Sequence, residues 1–123
     1  MIVAMVGVAL LNCLAVLQVV LAAGAPLGRF AWGGQHEVLP TRLRIGSAVS
    51  IVLYALFALV MLQAAGAVDV LPTGPADAAI WVLAAYFAVG VVVNGVSRSR
   101  PERMVMTPVA LALAVVCVVL ALH

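Results

Sequence analysis

Four apolar runs, separated by short polar stretches, divide this chain. The first, Ile2 to Ala23, carries no charge and is closed by Gly24 and Pro26. The second runs from Ile45 to Val68 and stops before Asp69 and Pro72. The third covers Ala78 to Val96, with Asp77 placed as its N-cap. The fourth covers Pro108 to Leu122, with Thr107 as N-cap and proline at the first helical position. A helix rises about 1.5 Å per residue and needs about 20 apolar residues to cross about 30 Å of hydrocarbon. Three runs meet that length; the last is short, and Met104, Val105 and Met106 would extend it. The pattern therefore predicts one all-α membrane domain over residues 1–123, an up-down bundle of four transmembrane helices.

Composition strengthens that reading. The chain is 67% hydrophobic and 8% charged, against about 45–50% and about 25% in soluble domains. A domain of this size leaves much of its chain at the surface, so water is the wrong solvent for it. The net charge of +2 gives no case for nucleic acid. All six basic residues are arginine, and with so much alanine and valine this usage fits a GC-rich bacterial genome, hence a bacterial plasma membrane. Ala23-Gly24-Ala25 looks like a cleavage site. No Lys or Arg precedes the first run, however, and it is longer than a signal-peptide core, so a retained helix is expected.

Arginine placement predicts orientation. Arg29, Arg42 and Arg44 fall in the first loop and Arg98, Arg100 and Arg103 in the third, while the second, Asp69 to Asp77, has none. Short loops rich in Lys and Arg stay in the cytoplasm, which puts both termini outside. The imbalance also argues against insertion in both directions.

No Asp, Glu, Lys, Arg or His lies within the four runs. Intramembrane charges mark proton relays and ion pathways, so their absence argues against a proton-coupled pump. It separates the chain from the small multidrug resistance transporters, similar in size, which carry a glutamate in the first helix where this chain has Asn12 and Cys13. The Phe-rich signature of the fluoride channels is missing too. Uncharged polar residues gather toward the arginine-bearing side: Gln18, then Ser47, Ser50 and Tyr54 on one helical face, then Asn94. They read either as interhelical glue, at about 0.6 kcal/mol per bond, or as a polar pocket open to the cytoplasm. Cys13 and Cys117 have no metal or redox spacing and read as buried free thiols.

The first loop, Gly24 to Arg44, is long for a helix–helix connection and is expected to fold against the membrane face. Trp32 has the aromatic character of interfacial residues, and Gly33-Gly34 permits unusual backbone angles. His36 and Glu37 are neighbouring His and acid without a third ligand or nucleophile, so they read as solvated loop residues. In the third loop Glu102 is a candidate ion-pair partner for Arg103 or a first-loop arginine. The six arginines are candidate contacts for anionic phospholipid headgroups or a partner protein, and Trp32, His36, Glu37 and Glu102 are candidate loop contacts.

At these loops the sequence resembles an uncharacterised group of small bacterial four-helix membrane proteins. The residues carrying the resemblance are Gly24-x-Pro26-x-Gly28, Trp32-Gly33-Gly34, Leu39-Pro40-x-x-Leu43-Arg44, and Asn94-x-x-Ser97-Arg98-Ser99 through Glu102-Arg103 to Thr107-Pro108. The resemblance implies the fold and no chemistry. With no nucleophile–base pair, metal cluster or phosphate loop, and no cofactor motif, an enzyme is not expected. The expectation is an accessory or scaffold protein whose arginine-rich loops contact a partner or anionic lipid. The rival is an uncoupled transporter or channel acting as a homodimer. Ala84 and Ala88, and Ala110 and Ala114, supply small-residue faces for close helix packing.

Overall fold

The computed structural model describes residues 1–123. It is all-α: α1 spans Ile2–Ala22, α2 Thr41–Ala64, α3 Thr73–Gly95 and α4 Arg100–Leu122. Each helix has 21 to 24 residues and is apolar enough to cross a membrane. Only 20 of 123 residues are buried, and the exposed side chains include Val16, Val52, Leu56, Val89 and Leu111. An apolar exterior of this extent has lipid as its solvent, so this is a multi-pass membrane protein.

Three of the four helices begin earlier than their apolar runs; α1 begins with its run at Ile2. α2 starts at Thr41 rather than Ile45, and it ends at Ala64, before Val68. α3 starts at Thr73, so Asp77 lies inside its first turns; Pro72 holds the N-cap position, and Pro75 falls where no intrahelical N–H is required. The largest change is in α4. It begins at Arg100 behind Ser99, with Pro101 in the first turn, and runs through Pro108. Its 23 residues give about 35 Å of helix, so the fourth span is not short. Polar first turns and an interior proline lower hydropathy without ending a helix, particularly where neighbouring helices support the backbone.

α1 packs along α2 and α3 along α4, while the two pairs meet through α1 and α4 and through α2 and α3. The core lies toward one end, where Ala4, Leu11, Met61, Leu83, Leu113, Val116 and Cys117 interdigitate. There a Cβ on Gly7 would stand 2.8 Å from both Met61 Sδ and Val116 Cγ1, so only glycine lets these three helices approach. Ala110 and Ala114 are buried, but Ala88 is exposed, and α3 instead brings Gly90 toward the Ala110 methyl. Cys117 is buried, whereas Cys13 is exposed on the outside of α1. At the core end the Gln63 amide spans the loop after α2: Nε2 donates to Leu71 O at 2.6 Å, and Oε1 accepts from Leu71 N at 2.7 Å and Val70 N at 3.1 Å.

The opposite end is closed by the first loop. It forms two short 3₁₀ turns, Gly28–Phe30 and Trp32–Gly34, and is tied at both edges. Gly28 N donates to Glu37 O at 2.8 Å, and Arg44 Nε donates to Ala22 O at 2.8 Å, satisfying a terminal carbonyl of α1. This folded segment is called the cap below.

Candidate functional site

The cap is built on backbone geometry that few residues tolerate. Trp32, Gly33 and Gly34 are all left-handed, with φ of 54°, 77° and 69°. Glycine adopts such angles freely; a tryptophan there costs about 1–3 kcal/mol and must be held by its surroundings. Two contacts hold it. Its indole Nε1 donates to Ser47 Oγ at 3.1 Å, and its ring edge lies on Gly46, where a Cβ would stand 2.9 Å from the indole carbons.

The cap is also locked to α4. Gly33 N donates to Glu102 Oε2 at 3.0 Å, and the Ser99 hydroxyl donates to Arg29 O. Ser99 and Glu102 occupy the N-cap and N3 positions of α4, the spacing of a reciprocal capping box. No side-chain cap bond forms within the helix. Ser97 Oγ accepts from Ser99 N at 3.2 Å instead, and both capping side chains turn to the first loop. Glu102 is 4% exposed. The expected ion pair with an arginine is not what this carboxylate makes: it takes a backbone N–H, while Arg103 donates to Ser97 O at 3.0 Å.

Beneath the cap lies a cavity of about 700 Å³, walled by all four helices and by Phe30 to Gly33. Of the polar residues singled out by position, Gln18, Ser50, Tyr54 and Asn94 line it, and Ser47 does not. Ser47 is fully buried behind the wall and engages Trp32. Gln18 Nε2 lies 3.5 Å from the Tyr54 hydroxyl, a long contact, and Gln18 Oε1 is buried with no partner. Ser50 and Asn94 return their side chains to backbone carbonyls one turn earlier, Gly46 O at 2.9 Å and Gly90 O at 2.7 Å. The floor is aromatic: Phe87 and Tyr86 line it, edge-on at 5.2 Å between ring centres, and Phe57 packs behind them, edge-on to Phe87 at 5.8 Å. The cavity-lining residues Val82, Tyr86, Val89 and Val93 of α3 are exposed. The cavity therefore opens sideways, along α3, onto lipid.

Glu102 is the one charged residue in this wall. Hydropathy assigns it to a loop; the signal that places it on a helix is Ser99-x-x-Glu102 with Pro101 between, a helix-start pattern. Trp32 lines the cavity as well, whereas His36 and Glu37 do not. These two act through backbone: a Cβ on Gly28 would collide with the carbonyl of His36, and Glu37 O accepts from Gly28 N.

None of the six arginines lines the cavity. Arg29 stacks on Phe30 at 4.8 Å from the ring centre, and Arg44 and Arg103 hold backbone carbonyls. Arg42, Arg98 and Arg100 are exposed. Positive charge thus sits on the outside of the cap end, and the single buried acid lies inside it. No family model, curated protein or solved structure matches the chain.

Proposed function

We propose that this chain is a non-enzymatic accessory protein of the bacterial plasma membrane, an up-down bundle with both termini outside and the cap at the cytoplasmic face. Its exposed arginines would hold anionic phospholipid headgroups and so seat the cap at the membrane surface. The observation that carries this reading is the division of labour among the arginines. Arg44 and Arg103 are spent on backbone carbonyls, while Arg42 on α2, Arg98 in the third loop and Arg100 on α4 are exposed at the same end of the bundle as the cap. Guanidinium groups fit phosphate oxygens in a bidentate way, and each cation near the surface contributes about 1 kcal/mol.

The test is lipid retention by the purified protein. Arg98→Gln with Arg100→Gln should weaken cardiolipin and phosphatidylglycerol retention roughly tenfold or more at low salt, from about 1 kcal/mol per cation. Retention unchanged by the double substitution would sink the proposal.

The cavity favours a second reading, a small uncoupled transporter working as a homodimer. Native mass spectrometry separates the two: an unrelated subunit at fixed ratio supports the accessory role, and a clean homodimer sends the question to liposome flux. The homodimer reading draws on α1. Met5, Ala9, Asn12, Val16 and Val19 form one exposed stripe, with Asn12 near the middle of the helix. An amide facing hydrocarbon there is stabilised by a partner amide from a second copy.

A further inference from the structure

A buried acid in an apolar cavity needs a reason. Glu102 accepts one hydrogen bond, from the Gly33 N–H, although a carboxylate has acceptor sites for about four. Gln18, which lines the same cavity, holds a second unmet acceptor in its Oε1, on a residue 7% exposed. Both are acceptors, and the arginines that could answer them lie elsewhere. Ser50 and Asn94 turn their donors to backbone carbonyls of their own helices, and the remaining wall is apolar or aromatic, with Phe30, Trp32, Tyr54, Tyr86 and Phe87 present. Acceptors, one negative charge and ring faces together describe a site for a cation carrying N–H donors, since ring quadrupoles attract cations as well.

We infer that the cavity binds a small lipophilic amine in its protonated form, with the ammonium group between Glu102 and Gln18 and the apolar body against the cavity wall. The volume of about 700 Å³ is that of a site for a drug-sized molecule. The sideways opening along α3 gives access from lipid, where such amines partition. This assignment stands apart from headgroup binding at the arginines and survives its failure.

The test uses the full chain in phosphatidylcholine nanodiscs, whose headgroup has no N–H donor. The probes are 1-naphthylmethylammonium and its uncharged analogue 1-naphthylmethanol, followed by equilibrium binding. The ammonium should bind saturably at one site per chain, roughly tenfold or more tighter than the alcohol, as a charge-assisted bond implies. Glu102→Gln keeps an oxygen for the Gly33 N–H and so preserves the cap; it should remove the preference for the ammonium over the alcohol. Gln18→Met should lower the ammonium-over-alcohol preference by several-fold. Equal binding of the two probes, or an ammonium affinity indifferent to Glu102→Gln, overturns the assignment. Competition by phosphatidylethanolamine added to the nanodisc would hand the site to a lipid headgroup and overturn the small-amine assignment as well.

Discussion

At the scale of single residues, the cap stands on contacts that leave no room for a methyl group. A Cβ on Gly28 would overlap the His36 carbonyl, and one on Gly34 would overlap the Ser99 side chain. Gly34 also has a φ of 69°, so substitution there adds backbone strain to the collision. Gly28→Ala and Gly34→Ala should each unseat the cap, lowering stability by about 1–3 kcal/mol, the usual range of a point substitution with a named steric cause. Limited proteolysis within residues 24–40 would report it, as would a red shift in Trp32 emission in a Trp81→Phe background. Gln63 shows the same economy at the other end. It satisfies three backbone groups of the loop after α2, so Gln63→Leu leaves those groups unpaired and should cost about 1–3 kcal/mol in thermal melts. Gln63 lies inside the second apolar run, and its role depends on a loop fold that hydropathy does not encode.

At the scale of elements, the count of four helices was legible, because an apolar run of membrane length has few other uses. The N-terminal boundaries were not. Thr73-Gly-Pro and Arg100-Pro-Glu look like loops by hydropathy, yet proline and acids are at home in a first turn. Gln18, Ser50, Tyr54 and Asn94 could be grouped from sequence by their position toward the arginine-bearing ends of their runs, but the shared helical face of Ser50 and Tyr54 also took in Ser47, which lies behind the wall. Glu102 could not be placed in the wall, because that depends on where α4 starts and on both capping side chains turning to the cap. The start of α4 can be tested through Pro108, which removes one backbone hydrogen bond inside the observed helix. Pro108→Ala should raise the melting temperature, whereas at the first position of a helix it would be near neutral. Thr107 gives an independent check. Its hydroxyl is buried without a partner, so Thr107→Val should leave stability unchanged or higher.

At the scale of the whole molecule, tight packing and open volume are segregated. Gly7, Met61, Leu113 and Cys117 weld one end, and the cavity occupies the other, roofed by a strained loop. One copy of the chain encloses this space, so a homodimer is not needed to make a pocket; if the protein pairs, the reason lies on its outer surface. The exposed stripe of α1 is where that reason would act. An Asn side chain in hydrocarbon associates helices with about 1–2 kcal/mol when it finds a partner amide. Asn12→Ala should therefore shift a monomer–dimer equilibrium toward monomer by roughly tenfold, read by native mass spectrometry across a dilution series. Ala9→Cys, in a background of Cys13→Ser and Cys117→Ser, should form an oxidative cross-link that Asn12→Ala suppresses. A cross-link indifferent to Asn12 would move the contact off this stripe. Absence of both dimer and cross-link would leave α1 facing lipid, with the cavity serving a single chain.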